Sequence, residues 1–200
     1  MPGIVGLIPN DRDNLLLERM VNLIKHEEWY RIDSYSTPSV GIARVHSSIF
    51  NPEPQPIFSE DNNLCIFMDG KIYQYQKEME ELQRKGHKIL VGNDAEFCLH
   101  LYEELGEDFA EKLNGSFVIV IYDFIKETLL IVNDRYGLRP IYVAMCGRQL
   151  LFAPETKAIL ENSAFQKEID DEAGAVLFAY RGLLGNKTLF NKITVLPPGS

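Results

Sequence analysis

The stretch Gly115–Asp134, GSFVIVIYDFIKETLLIVND, decides the fold class. It contains two continuous apolar runs, Phe117–Tyr122 and Leu129–Val132, on either side of a polar turn at Asp123–Glu127. Continuous rather than alternating apolar residues are typical of strands that are covered on both faces. The pattern therefore predicts an antiparallel hairpin that lies between other layers of the protein.

Similar apolar runs predict further strands. A second buried hairpin is expected where Ile141–Met145 and Leu150–Ala153 flank Gly147-Arg148-Gln149. A proline-containing loop is expected over Asn51–Asn63. Three more strands are predicted at Gly3–Ile8, Ser39–His46 and Leu64–Met68, and a turn at Asp69-Gly70 is expected to end the last of them.

Four helices are predicted, the first two of them from the helical spacing of apolar residues. They cover Asp13–Trp29, a segment from Ile72 that stops at Gly86, Glu155–Glu161 and Asp170–Tyr180. Helices before and after a strand-rich middle predict an α+β fold in which helical layers cover the sheets. Because no linker or repeat interrupts the chain, residues 1–200 are predicted to form one domain.

A fifth helix is predicted to begin after Asn93. Asn93 is expected to cap it, and Glu96 is expected to reach back to the backbone N–H of Asn93 and complete a capping box. Phe97, Leu101 and Leu105 would line the buried face of this helix.

Composition narrows the functional classes. The chain has 200 residues, is 46% hydrophobic and carries a formal charge of −9. It has enough apolar residues for a core, which argues against disorder. Its acidic balance argues against a nucleic-acid partner, which needs clustered positive charge. With no signal peptide, no apolar run near the roughly 20 residues of a membrane span, and three scattered cysteines, the sequence predicts a cytoplasmic protein.

An ordered set of motifs resembles the class II glutamine amidotransferase domain, and in particular the N-terminal half of asparagine synthetases. The motifs are Gly86-His87, Asp94-Ala95-Glu96, Tyr102-Glu103-Glu104-Leu105-Gly106, Leu113-Asn114-Gly115-Ser116-Phe117, Asn133-Asp134-Arg135-Tyr136-Gly137-Leu138-Arg139-Pro140-Ile141-Tyr142, Leu151-Phe152-Ala153-Pro154-Glu155-Thr156-Lys157-Ala158 and Leu196-Pro197-Pro198-Gly199. The resemblance implies the N-terminal-nucleophile fold, a four-layer αββα sandwich of two antiparallel sheets between helical layers.

The resemblance also implies a chemistry. In this family a cysteine becomes the first residue, its thiolate attacks the side-chain amide of glutamine, and its own α-amine is the base. An Asn side chain and a Gly backbone N–H hold the oxyanion. An Arg holds the substrate carboxylate, and acidic groups hold the substrate amine.

The sequence departs from the family pattern at the chemical positions. Pro2 stands where the cysteine is expected, so no acyl-enzyme can form there. The motif that is normally Asn-Gly-Glu is Asp69-Gly70-Lys71, which places a carboxylate near the oxyanion and reverses the charge of the usual acid. His46 stands at the carboxylate-binding Arg, although Arg44 is close enough to substitute. Gly70 and Asp94 alone match the family's ligand set.

Each of these residues also has a simpler interpretation. Asp69 and Lys71, two apart on an extended segment, could pair with each other. Asp94 suits the first turn of a helix, where an acid interacts favourably with the helix dipole. His46 could be a packed or solvated residue. A catalytic role for the amine of Pro2 requires the removal of Met1. Asp134, Arg135 and Arg139 are expected to hold the turn between two strands.

The sequence therefore predicts a glutaminase-deficient domain of an asparagine-synthetase-like, ATP-dependent ligase, in which it is scaffold or interface. ATP and magnesium are expected only in a separate synthetase domain, with no cofactor here and no metal site, since no His/Cys/Asp cluster has ligand spacing. The alternative is a free-standing module that binds a small amino-acid-like ligand or a partner through a vestigial glutamine pocket of His46, Asp69, Gly70, Lys71 and Asp94. A partner protein and a homodimer stay open.

Overall fold

Ten strands form two antiparallel sheets in the computed structural model, which describes residues 2–10 and 14–200. In chain order the strands are β1 (Gly3–Ile8), β2 (Arg31–Ser36), β3 (Gly41–His46), β4 (Ile57–Phe58), β5 (Leu64–Ile72), β6 (Gly115–Asp123), β7 (Thr128–Asn133), β8 (Tyr142–Cys146), β9 (Gln149–Ala153) and β10 (Ile193–Val195). The larger sheet has the order β10-β8-β9-β1-β3-β2, and the smaller has the order β4-β5-β6-β7.

The helices are α1 (Asn14–Ile24), α2 (Gln76–Lys85), α3 (Asp94–Leu105), α4 (Thr156–Ile159) and α5 (Asp171–Tyr180), and a 3₁₀ helix over Gly106–Lys112 continues α3. Of these, α1 and α4 pack on the larger sheet, and α3 packs on the smaller one. None of the helices within the described ranges is long and apolar enough to cross a membrane.

Three apolar clusters fill the three spaces between layers. Met20 and Ile24 of α1 pack with Val45 and other side chains on the outer face of the larger sheet. Phe97 of α3 belongs to the cluster on the outer face of the smaller sheet. Phe67 and its neighbours fill the space between the sheets. This layering confirms the predicted α+β, αββα sandwich.

Both predicted hairpins form. β6 pairs with β7, and β8 pairs with β9. The run Phe117–Asp123 of β6 is buried throughout, as expected. The prediction that both faces of the strands are buried is wrong for the second hairpin, where Met145 is 54% exposed. Met145 lies beyond Ala144, the last residue of β8 that pairs with β10, so no strand flanks it on that side.

The predicted turn at Asp69-Gly70 is wrong, because β5 continues to Ile72. Gly70 pairs with Phe117 on β6 at a φ of 126°. A Cβ at Gly70 would lie 2.1 Å from the carbonyl oxygen of Ser116. The glycine is therefore required for the close approach of two paired strands and for a backbone conformation that side chains disfavour.

Several helices are shorter than the sequence predicts. The expected start of the first helix at Asp13 lies outside the described residues, and the helix ends at Ile24 rather than at Trp29. The second helix begins at Gln76, because Ile72 belongs to β5. The helix expected over Glu155–Glu161 shortens to α4, and the strands β2, β4 and β10 have no prediction from the sequence.

The start of α3 matches its prediction in part. The side-chain oxygen of Asn93 accepts a hydrogen bond from the N–H of Glu96 at 2.9 Å, which confirms the cap. The Glu96 carboxylate instead accepts from the N–H groups of the preceding loop, at Leu90, Val91 and Gly92. Leu105 is 38% exposed and not part of the buried face, because it lies in the last turn of the helix.

Candidate functional site

The first residues of β1 lie beside a cavity with a volume of about 10 Å³. Pro2, Asp69 and Arg139 contribute to its lining, together with apolar side chains. A space of this size holds about one water molecule. The catalytic-proline alternative depends on the state of Met1, which lies outside the described residues.

Asp69 and Arg139, which both line this cavity, form an ion pair with each other. The Nη1 atom of Arg139 lies 2.5 Å from Oδ2 of Asp69, and its Nε donates to the carbonyl oxygen of Ser116 at 3.3 Å. The suggested pairing of Asp69 with Lys71 is therefore wrong. Arg139 lies in the connection between β7 and β8, and these contacts attach that connection to β5 and β6. Within the turn itself, Asp134 accepts from the N–H groups of Tyr136 and Leu138.

Asp94 is fully occupied by donors from the chain itself. Its Oδ1 accepts from the Lys71 ammonium at 2.8 Å and from the Tyr75 hydroxyl at 2.7 Å. Its Oδ2 accepts from the N–H of Ile72 at 2.9 Å. Burial, and then the hydrogen bond to Asp94, raise the pKa of Tyr75 above its usual range. Asp94 also stands at the first position of α3, so the helix-dipole interpretation holds as well.

His46 lies on β3 and shares a carboxylate with Arg44. Nε2 of His46 lies 3.3 Å from Oδ2 of Asp33, and the Arg44 guanidinium contacts the same oxygen at 2.6 and 3.0 Å. Burial raises the pKa of Asp33, but the hydrogen bonds and charges of His46 and Arg44 outweigh it and hold that pKa below its usual value. Among the described residues, the buried Nδ1 of His46 has no hydrogen-bond partner.

Arg44 is not available for a substrate carboxylate. It is 1% exposed, and besides Asp33 it donates to the carbonyl oxygens of Asn51, Glu53 and Met68. Burial, the largest contribution, lowers its pKa from the usual value, opposed by the charge of Asp33. Arg44 is therefore a buried structural cation.

Asn51 connects the predicted site residues. Its side-chain nitrogen donates to the carbonyl oxygen of Gly70 at 3.0 Å, and its side-chain oxygen accepts from the N–H of Asp94 at 3.1 Å. The structure thus brings His46, Gly70 and Asp94 into one hydrogen-bonded network. Asn51 was missed because it lies in a segment predicted as loop, with no local pattern to mark it.

A second polar cluster lies where α2 ends against α3. The ring nitrogens of His87 and His100 and the carboxylate of Glu103 come together there, in an arrangement that can hold a metal ion. The sequence predicts no metal site, because no His/Cys/Asp cluster has local ligand spacing. The i,i+3 spacing of His100 and Glu103 on a helix was the available signal.

The family model described as "Glutamine amidotransferase domain" matches residues 1–200. "Asparagine synthetase [glutamine-hydrolyzing] 2" of Bacillus subtilis (strain 168) is 31% identical over 174 residues, covering 81% of this chain and 22% of that protein. "Asparagine synthetase [glutamine-hydrolyzing] 1" of the same organism is 29% identical over 189 residues, covering 92% and 29%. The chain spans less than a third of the length of these curated relatives.

The fold is shared with solved structures. Glutamine phosphoribosylpyrophosphate amidotransferase from B. subtilis, complexed with ADP and GMP, matches with a TM-score of 0.66 and 17% identity over 84% of this chain and 45% of that chain. The two sheets and their helical layers match the fold of this neighbour. The family match over residues 1–200 establishes that the chain belongs to the class II glutamine amidotransferase domain family.

Proposed function

We propose that this domain does not hydrolyse glutamine and that it is a scaffold or interface domain of an asparagine-synthetase-like, ATP-dependent ligase. The observation that carries the proposal is the contact between Lys71 and Asp94 at 2.8 Å. The resemblance to the family implies that Asp94 would hold the amine of glutamine. Here the ammonium group of Lys71 occupies that position instead. The Asp94 carboxylate also accepts hydrogen bonds from the N–H of Ile72 and the hydroxyl of Tyr75.

The surroundings of Pro2 support the same proposal. Proline offers no thiol or hydroxyl for attack on an amide, so a covalent intermediate has no nucleophile at this position. The adjacent cavity of about 10 Å³ has no room for a glutamine side chain. Asp69 stands where the family has the oxyanion-binding Asn, and its carboxylate, which is held by Arg139, has no N–H to donate to an oxyanion.

The proposed role as an interface is supported by apolar side chains near the end of the chain. Phe178 on α5 is 90% exposed, Tyr180 is 71% exposed and Leu184 is 59% exposed. In the proposed ligase, a synthetase domain would supply the ATP and magnesium chemistry and use ammonia or another amine. Residues 1–200 would then be one domain of a longer protein.

A cytoplasmic location is part of the proposal. All three cysteines are free, and Cys65 and Cys98 are buried. Burial raises the pKa of the Cys65 thiol to about 12, which leaves it unreactive at neutral pH. Free, scattered cysteines suit a reducing compartment.

Glutamine hydrolysis by designed variants tests the inactivity. The purified protein and its Pro2→Cys variant, with Met1 removed, should release no ammonia from glutamine, because Asp69–Arg139 and Lys71–Asp94 still occupy the site. The variant that combines Pro2→Cys with His46→Arg, Asp69→Asn and Lys71→Glu restores each position at which the sequence departs from the family's pattern and should show measurable turnover. Sustained turnover by the unmodified protein, or by Pro2→Cys alone, would overturn the proposal.

The intact mass of the protein from its native source tests the ligase context. A mass well above 22.8 kDa is expected, with an ATP-binding domain in the additional sequence. A native mass that matches 200 residues contradicts a covalent synthetase domain. It would favour a partner protein, a homodimer or a ligand-binding module.

Thermal shifts with amino acids and small carboxylates test the alternative of a vestigial ligand pocket. A ligand that binds only the native state raises its melting temperature. No shift is expected at millimolar concentrations, because Asp94 and Asp69 are already paired with Lys71 and Arg139. A saturable shift that disappears in Asp94→Asn would support the binding module instead.

A further inference from the structure

Two helices bring three potential metal ligands together on the side of α3 that faces α2. His87 follows Gly86, which ends α2 in the left-handed conformation, and the N–H of His87 donates to the carbonyl oxygen of Leu82. This ending turns His87 toward α3. His100 and Glu103 lie one turn apart on α3 and therefore share a face.

The ligand atoms form a compact triangle. Nδ1 of His87 and Nδ1 of His100 are 3.1 Å apart, and Oε2 of Glu103 lies 3.4 Å from the first and 2.7 Å from the second. Zinc bonds of about 2.0–2.2 Å at tetrahedral angles place neighbouring ligand atoms roughly 3.3–3.5 Å apart. A small outward movement of Glu103 gives three corners of a tetrahedron. We propose that His87, His100 and Glu103 bind one zinc ion.

The other side of the His87 ring is held as a zinc ligand requires. Nε2 of His87 lies 3.1 Å from Oε1 of Glu104, and the other oxygen of Glu104 accepts from the Lys85 ammonium. A proton on Nε2 leaves the lone pair of Nδ1 directed at His100 and Glu103. A carboxylate behind a ligating histidine fixes its tautomer and makes it a better ligand.

Burial and access differ across the three ligands. The His100 side chain is 4% exposed, whereas those of His87 and Glu103 are 16% and 24% exposed. A cavity of about 350 Å³ opens beside the ligands and is also lined by Glu60 and Lys85. The fourth position of the zinc would therefore be open to water or to a small anionic ligand, as in zinc sites with three protein ligands.

The donor set favours zinc over the harder cations. Two imidazole nitrogens and one carboxylate oxygen suit zinc, whereas magnesium and calcium prefer oxygen ligands alone. Glu103, Glu104 and Lys85 together carry a net charge of −1, and this negative charge favours the binding of a cation. Without zinc, one N–H on Nδ1 of His100 would serve both the Glu103 carboxylate and the Nδ1 lone pair of His87.

Metal binding by the untagged protein tests this site. After chelator treatment, the wild-type protein should bind one zinc ion per chain and should melt at a higher temperature with zinc. Cobalt(II) should give the intense visible absorption of a four-coordinate site. His87→Ala and Glu103→Gln change partly exposed side chains and should each weaken zinc binding at least tenfold, with loss of the cobalt spectrum.

A matched control separates this site from adventitious binding to imidazole. His26→Ala removes a histidine that contacts Glu155 in another part of the fold, so it should keep wild-type zinc affinity. Absence of one-to-one zinc binding, or unchanged affinity in His87→Ala and Glu103→Gln, would overturn the proposal. The measurement of zinc binding does not depend on glutamine hydrolysis. The zinc site can therefore be wrong while the proposed lack of glutaminase activity is right, and the reverse also holds.

Discussion

At the scale of single residues, the site is held by partners that are distant in sequence. Lys71 and Asp94 are 23 positions apart, and Asp69 and Arg139 are 70 apart. Each pair joins an acid and a base, and each pair includes one residue of the Asp69-Gly70-Lys71 motif. The two unusual charges of this motif are therefore neutralised by different parts of the fold.

Replacement of the buried carboxylate measures the strength of one pair. Asp94→Asn removes the charge that holds the Lys71 ammonium and the hydroxyl of Tyr75, and should destabilise the protein by about 2 to 3 kcal/mol. Asp171→Asn is the matched control, because Asp171 is also the first residue of a helix but is exposed. It should change the free energy of unfolding by less than about 0.5 kcal/mol. Equal effects in urea denaturation would contradict this assignment.

At the scale of secondary structure, a glycine decides whether a strand ends or continues. β5 runs through Gly70 to Ile72 because the glycine allows a positive φ and close contact with Ser116 on β6. The same Asp-Gly pair is a common turn signal in isolation. Pairing with the long strand β6 outweighs the local preference.

Two glycine-to-alanine changes should act in opposite directions. Gly70→Ala should destabilise the protein by more than about 2 kcal/mol, because it forces a side chain into a strained conformation and into the backbone of Ser116. Gly174→Ala, inside α5, meets no atom within 4 Å and should stabilise it by about 0.5 to 1 kcal/mol. The melting temperatures of the two variants test this prediction, and a change in the same direction for both would contradict it.

At the scale of the whole molecule, a buried cation joins the two sheets. Arg44 lies on β3 of the larger sheet and donates to the carbonyl oxygen of Met68 on β5 of the smaller sheet at 3.2 Å. Its counterion is Asp33, the directly opposite residue on β2. The space between the sheets is otherwise filled by apolar side chains such as Phe67.

The pH dependence of stability should report this counterion. The pKa of Asp33 is lower in the folded protein than its ordinary value of 3.8, so its contribution is present above that pH. It is lost as the pH falls through the lower, folded-state pKa. Asp33→Asn should cost about 2 kcal/mol at pH 7 and progressively less as the pH falls below 3.8. Urea denaturation across this range, with Asp171→Asn as the control, checks it; a pH-independent difference would contradict it.

The sequence by itself determined the layers of this protein. Its continuous apolar runs predicted the buried strand β6 and both hairpins, since burial depends on side-chain hydrophobicity, which each residue carries. The cap at Asn93 was predictable for a similar reason, because its partner Glu96 is three residues away. Strand β2 was missed because its side chains are largely exposed and give no apolar run.

Only the tertiary structure decided which charged groups meet. Lys71 could be listed from the sequence, but its pairing with Asp94 depends on how β5 packs beside the start of α3. The meeting of His87 with His100 likewise depends on where α2 ends against α3. Ion pairs and metal ligands act over a few ångströms, and the chain folds distant residues to within that range without leaving a local pattern.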